Sequence, residues 1–188
     1  MCSRLIVESI ATEEALLAGA AAKDIAFVEQ FSNLGRRCEV LAWRAIVRRK
    51  LGEDVRIFYD DYGAPKVANP NRYISVSHSR EYVAVLLSDV PCAVDIESVE
   101  RDFRKVASRY LSVEEQTMAE RYGIFAELWS AKEALYKYYK KGKLDLVRDI
   151  SITNYNPENA TLTATILGSH PIMVNLERRD NLVIATIG

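Results

Sequence analysis

Residues 3–10 alternate loosely between apolar and polar side chains, the period of a strand. Thr12 stands where a helix cap belongs, and Glu13 and Glu14 occupy the first turn, where the helix dipole favours acids. Leu17, Ala21, Ile25 and Val28 then recur at helical spacing and predict one helix. A second helix is predicted over 36–51, with Val40, Trp43, Val47 and Leu51 as its apolar stripe and Gly52 as its stop. Residues 55–59 are β-branched and aromatic and read as a strand, and 60–65 carry turn chemistry. Strands at 73–77 and 82–88 form a hairpin around His78, Ser79, Arg80 and Glu81.

From Pro91 the pattern starts again. A strand over 92–97 leads to a helix over 102–111, and Ser112, Glu114 and Glu115 open another helix through a capping box. A longer helix follows over 124–139 and ends before Gly142. Strands at 149–154, 160–167, 171–178 and 182–187 close the chain. Each half is thus helices with an antiparallel strand set. The expected fold class is α+β, with an N-terminal lobe at 1–90 and a C-terminal lobe at 91–188. No glycine fingerprint follows a strand, so a Rossmann fold or a P-loop is not indicated.

Composition narrows the class further. At 188 residues, 49% hydrophobic and 27% charged, the chain can bury a core without disulfide or metal staples. A net charge of −1 provides no global basic field for nucleic acid. The three cysteines, Cys2, Cys38 and Cys92, are widely spaced and form no CxxC pair, which supports neither a disulfide framework nor a zinc site. The N-terminus lacks the basic and long apolar regions of a signal peptide, and no apolar run reaches about 18 residues, the length of a membrane span. The expected location is the cytoplasm, with no membrane partner.

Three short stretches carry candidate chemistry. In Ala93-Val94-Asp95-Ile96-Glu97, Val94 and Ile96 point to one face of the strand, and Asp95 and Glu97 to the other. On an edge strand in water the two carboxylates coexist at small cost. With Mg²⁺, which takes a few carboxylate oxygens and leaves its other positions to water and phosphate, they become a binding site. Glu133 and Lys137 lie at i, i+4 on one helix face, either as a solvated pair worth about 0.3–0.5 kcal/mol or, with Trp129 one turn earlier, as a fixed and partly buried acid and base. Ser75-Val76-Ser77-His78-Ser79 ends a strand. His78 there is surface decoration, or else a corner of hydroxyl and imidazole donors for a phosphate. A Ser/His hydrolase triad is disfavoured, because the chain has no GxSxG elbow and adjacent residues do not face each other as triad partners.

Taken in order, Gly63-Ala64-Pro65, Ser75 to Ser79, Ala93 to Glu97 and Trp129 to Lys137 resemble the motifs of the 4′-phosphopantetheinyl transferases, in the larger pseudo-dimeric, surfactin-synthetase-activating type. Lys141-Gly142-Lys143-Leu144 resembles the tail that follows the last motif. Two positions depart from the pattern: Ala93 stands where the third motif opens with glycine, and Ala64 stands where many relatives carry lysine, with Lys66 just beyond Pro65. The resemblance implies two similar α+β lobes with coenzyme A in the cleft between them, and transfer of its phosphopantetheine arm to a serine of an apo acyl or peptidyl carrier protein. It implies Mg²⁺, with Mn²⁺ as an alternative, on Asp95, Glu97 and Glu133. Glu133 would also act on the carrier serine, and Lys137 would assist the leaving group. Arg36, Arg44, Tyr62, Gly63, Ala64, Pro65, Ser77, His78, Asp95, Lys132 and Lys137 would contact the coenzyme. A monomer is expected, since one chain is long enough for both lobes. Arg101, Arg104, Lys105 and Arg109 form a basic stretch, either a solvated face or a dock for an acidic carrier. The rival readings are a non-catalytic module that binds coenzyme A or a carrier, and a Mg²⁺-dependent phosphohydrolase.

Overall fold

A computed structural model describes residues 3–69, 71–139 and 142–188; Cys2 and Lys141, noted above, lie outside them. In chain order the elements are β1 (Arg4–Ser9), α1 (Glu13–Ala18), α2 (Ala22–Val28), α3 (Leu34–Leu51), β2 (Ile57–Tyr59), β3 (Pro65–Val67), β4 (Tyr73–Ser79), β5 (Tyr82–Ser88) and β6 (Ala93–Ser98). A 3₁₀ helix (Phe103–Arg109) follows, then α4 (Val113–Tyr122), α5 (Phe125–Tyr139), β7 (Ile150–Asn156), β8 (Thr161–Ile166), β9 (Ile172–Arg179) and β10 (Leu182–Ile187). The strands form three antiparallel sheets, in the orders β1-β5-β4, β2-β3 and β6-β10-β9-β8-β7. The mixed helix and strand content agrees with the expected class. Among the described residues, no helix is long and apolar enough to cross a membrane.

Most element boundaries follow local chemistry. Asn33 caps α3 by accepting the Arg36 N–H at 2.8 Å, and Gly52 ends it at φ +106°, in the region that favours glycine. Ser112 and Glu115 complete the capping box of α4 in both directions. Three expectations are corrected. The single helix expected over 12–28 is two, because Gly19 caps α1 and α2 starts afresh after Ala21. The helix expected over 102–111 is a 3₁₀ helix. Asp102 makes no side-chain cap there, and the Tyr110 hydroxyl, 3.4 Å from the Phe103 carbonyl, competes for an acceptor that an α-helix would use. The strand expected to stop at Ser77 continues to Ser79, so the hairpin turn is only Arg80 and Glu81, with Arg80 at φ +44°.

β5 explains how the halves join. Val83 and Val85 pack with Trp43, Ile46 and Val47 of α3. Ala84 and Leu86, on the opposite face, pack with Val94 and Ile96 of β6 and Ile184 of β10. A strand covered on both faces needs a nearly unbroken apolar run, and Val83 to Leu87 supply it. A larger core packs α5, through Leu128, Ala131 and Leu135, on Ile150, Leu162, Val174 and Ala185 of the five-stranded sheet. Between β4 and β6 the bonds come from side chains. Ser75, Ser77 and Ser79 accept the backbone N–H groups of Val94, Ile96 and Ser98 at 3.0, 3.3 and 3.1 Å. Among the described residues β6 pairs through its backbone only with β10, and these hydroxyls satisfy amides on its other edge.

Candidate active site

The two-residue period of β6 sets the site. Val94 and Ile96 face β5, while Ala93 packs with the α5 core, so Asp95 and Glu97 are directed to the α5 side. On α5, Ser130, Glu133 and Lys137 follow at i, i+3 and i+7, and Trp129 precedes Glu133 by one turn. Asp95 is buried and fully engaged. Its Oδ1 accepts from Lys137 Nζ at 2.7 Å and from the Ser77 hydroxyl at 2.9 Å, and its Oδ2 accepts from the Ser130 hydroxyl at 2.9 Å. Lys137 Nζ also donates to Ser77 Oγ at 2.9 Å and to the Val94 carbonyl at 3.2 Å. Glu97 Oε1 accepts the Trp129 indole N–H at 2.9 Å and lies 3.5 Å from Arg101 Nη1, whose guanidinium rests over the Phe103 and Trp129 rings. The acids therefore face a helix, and the reading of an edge strand in water does not hold.

Burial, and then the charge of Asp95, push the carboxyls of both Glu97 and Glu133 above the usual carboxylate range; Lys137 and Arg101 oppose this at Glu133. Among the described residues Glu133 makes no hydrogen bond or ion pair. An accumulation of hard oxygen donors that repel one another, one of them unpartnered, fits a divalent cation in charge and ligand type. As the side chains stand, no three His, Cys, Asp or Glu of the described residues are grouped to enclose an ion. Lys137 and Arg101 provide the counter-charge.

Beside the acids opens a cavity of about 660 Å³. Its lining includes Arg36, Tyr62, Gly63, Ala64, Pro65, Ser77, His78 and Lys137, drawn from α3, the β2–β3 turn, β4 and α5. Asp60 builds the turn by accepting the N–H groups of Tyr62 and Ala64 at 3.1 and 2.9 Å, and Gly63 sits at φ +78°. His78 Nδ1 lies 3.2 Å from Glu39 Oε1, and its Nε2 lies 3.2 Å from Arg36 Nη1. An arginine N–H only donates, so Nε2 accepts, Nδ1 keeps the proton and the ring is neutral. Burial lowers the pKa of His78, Glu39 pulls the other way, and Arg36 and Lys137 reinforce burial. Ser77 lines the cavity but is 5% exposed, and its hydroxyl serves Asp95, Lys137 and the Ile96 N–H.

Arg44 and Lys132, expected to contact the coenzyme, lie outside the cavity lining. Arg44 is 4% exposed, bonded to Asp24 Oδ1 at 2.6 Å and stacked 4.0 Å above the Phe27 ring, away from the cavity. With Arg48 it neutralises the buried carboxylate of Asp24. Lys132 is wholly buried, and its Nζ donates to Glu115 at 2.6 Å and to the carbonyls of Leu146 and Ile150 at 2.7 and 2.9 Å. Burial lowers its pKa against the pull of Glu115. Lys66, beyond Pro65, pairs with Asp60 at 3.3 Å. Ser130, Glu39, Tyr59 and Tyr136 were not among the expected site residues, and Trp43 and Lys143, expected as a helix stripe position and as part of the tail, also line the cavity. Ser130 was readable from its helical spacing to Glu133 and Lys137. Glu39 meets His78 only through the tertiary fold.

Motif order, cavity and acidic face converge on one class. The family model for the 4′-phosphopantetheinyl transferase superfamily matches residues 91–187, and the chain belongs to that superfamily. It is similar to a protein named 4′-phosphopantetheinyl transferase ffp of Bacillus subtilis, 31% identical over 96 residues, a match covering 47% of this chain and 43% of that one. It is also similar to 4′-phosphopantetheinyl transferase psf-1 of Bacillus pumilus, 32% identical over 87 residues, covering 43% and 37% respectively. The chain thus spans about two fifths of the length of the curated relatives it matches.

Proposed function

We propose that this chain transfers the 4′-phosphopantetheine group of coenzyme A to a serine hydroxyl of an apo acyl or peptidyl carrier protein and releases adenosine 3′,5′-bisphosphate. The observation that carries the proposal is the junction of the 660 Å³ cavity with the Asp95, Glu97 and Glu133 face through Lys137, which lines the cavity and donates to Asp95. Family membership and the names of the two relatives support it.

The aromatic and apolar part of the cavity, with Trp43, Tyr59 and Tyr62, suits adenine, and the turn from Tyr62 to Pro65 lies beside it. Arg36 presents donors to the phosphates, and His78 would add one on protonation at Nε2. Glu133 accepts the proton of the carrier serine as its oxygen attacks the phosphorus that bears the pantetheine arm. The bond to the bridging oxygen of the pyrophosphate breaks, and Lys137 offsets charge on the departing phosphate. Asp95, Glu97 and Glu133 would hold Mg²⁺, with Mn²⁺ as an alternative; the ion, when bound, offsets pyrophosphate charge. The finer architecture belongs to the same reading: two lobes, 1–90 and 91–188, in a cytoplasmic monomer. An acidic carrier is proposed to dock on the 3₁₀ helix, where Arg104 pairs with Glu120 and Lys105 with Asp102, while Arg109 makes no ion pair among the described residues.

The test is incubation with coenzyme A, Mg²⁺ and an apo carrier, followed by intact mass. Transfer adds about 340 Da, the mass of the arm, to the carrier. Binding of coenzyme A with no mass gain would favour the non-catalytic module. Consumption of coenzyme A without carrier would favour a hydrolase.

A further inference from the structure

Lys132 is the motif residue whose placement departs furthest from expectation, and its surroundings give it another use. Its ammonium lies inside a closed set of acceptors: Glu115 Oε2, the Leu146 carbonyl and the Ile150 carbonyl. Glu115 is also buried, and its remaining capacity is used. Oε1 accepts the Ile152 N–H at 2.7 Å, and Oε2 accepts the Ser112 N–H at 2.8 Å. One ion pair thus ties α5, the start of α4, the beginning of β7 and the turn before it. A buried pair is retained without net loss only when its spare donors and acceptors are satisfied, as they are here.

The turn that Lys132 grips is itself rigid. Asp145 Oδ1 accepts the N–H groups of Val147 and Arg148, each at 2.9 Å. Asp149 Oδ2 accepts the Asp145 N–H at 2.8 Å, and the Asp149 N–H returns to the Asp145 carbonyl at 2.9 Å. Immediately before this block stand Gly142, at φ +117°, and Lys143, and both line the 660 Å³ cavity. Lys143 is exposed and makes no ion pair among the described residues. A cation without a partner, held at a cavity that already contains Arg36 and Lys137, is placed for an anion.

We infer that Lys143 contacts a phosphate of the ligand in the 660 Å³ cavity, and that Lys132, with Glu115, is a positioning residue that acts through Lys143 by anchoring the 142–149 segment. This rests on the reading of that cavity as the coenzyme A site. Lys132 itself never meets the ligand.

The test measures binding of coenzyme A and of adenosine 3′,5′-bisphosphate by calorimetry, and KM and kcat for transfer, in a double-mutant cycle. Lys143→Ala, a surface change, should raise the coenzyme A Kd and KM about fivefold at low salt and leave kcat within about twofold, the size of one exposed charge contact. The effect should shrink at high salt. Lys132→Met combined with Glu115→Gln removes both buried charges and keeps an acceptor for the Ile152 N–H, so it preserves folding better than either single change. It should also raise Kd and KM, yet add less than about twofold when Lys143 is already alanine, because coupled residues are not additive. A loss of stability alone would not produce that pattern. Hydrogen exchange of residues 143–149 should rise in the charge-free pair and stay normal in Lys143→Ala. Unchanged coenzyme A affinity in Lys143→Ala overturns the inference while the wild type still binds and transfers. Full additivity of the two changes overturns the positioning role. Failure of the wild type to bind coenzyme A would sink the underlying reading, and this inference with it.

Discussion

Ser77→Ala tests the seam between β4 and β6 and its hold on the site in one substitution. The Ser77 hydroxyl donates to Asp95 and accepts from the Ile96 N–H and from Lys137 Nζ. Alanine leaves the Ile96 N–H buried without an acceptor, at about 1–3 kcal/mol, and removes a bond to a charged carboxylate worth about 1.5–3 kcal/mol. The two losses share one atom and overlap, so about 2–4 kcal/mol is expected in total. Ser75→Ala strips only the Val94 N–H and should cost about 1–3 kcal/mol. Urea unfolding with an unchanged slope would measure both. Activity should separate them. Ser77→Ala removes one of the three acceptors holding Lys137 and one of the three donors holding Asp95, and should lower kcat about tenfold, near 1.4 kcal/mol. Ser75→Ala touches neither group and should leave kcat within about twofold. If Ser77→Ala were no more destabilising than Ser151→Ala on the exposed face of β7, the hydroxyl ladder would carry no weight. Equal loss of activity in both seam variants would detach Ser77 from the site.

Other consequences can be checked as directly. Burial raises the Asp24 carboxyl, but Arg48 and Arg44 outweigh it and hold the pKa below 3.8, so the ionised acid stabilises the fold above that pH and loses this contribution as pH falls through its lower folded value. Asp24→Asn should cost about 3–5 kcal/mol at pH 7, flatten the acid limb of a stability profile below pH 3.8, and leave the coenzyme A KM of the folded variant unchanged; a raised KM would return Arg44 to the binding site. His78→Ala should raise the coenzyme A KM more than it lowers kcat and narrow the preference over 3′-dephospho-coenzyme A, and an undiminished preference would release His78 from that phosphate. Arg104→Glu with Arg109→Glu should raise the carrier KM most steeply at low salt while coenzyme A affinity holds, and an insensitive carrier KM would move the dock elsewhere.

What was legible in the sequence depended on distance along the chain. The capping box at Ser112, the stop at Gly52 and the face shared by Asp95 and Glu97 are local, and the structure carries them as read. The lysine of the last motif was not legible. Lys132 and Lys137 differ by five positions, which turns them to different sides of α5, but spacing alone does not say which side meets the cavity and which the core. The buried Glu115, seventeen residues earlier, and the Leu146 and Ile150 carbonyls, later in the chain, make the interior tolerable for Lys132. The surroundings of Arg44 were hidden for a similar reason. The partner that buries Arg44 and Arg48 is a single aspartate on another helix.

The same arithmetic explains why the serine motif and the acidic motif belong together. Side chains alternate along β4, so Ser75, Ser77 and Ser79 share one side, and every second backbone N–H of β6 faces them. The seam thus uses the amides of residues 94, 96 and 98 and leaves the side chains of Asp95 and Glu97 to meet α5. Shifting β6 by one residue would turn Asp95 and Glu97 toward β5 and expose Val94 and Ile96 to the acids' present neighbours, at the cost of two buried carboxylates in an apolar layer. Register, cohesion between the halves and placement of the acids are therefore one constraint. Ser77, which bonds to both strand and site, is where they meet.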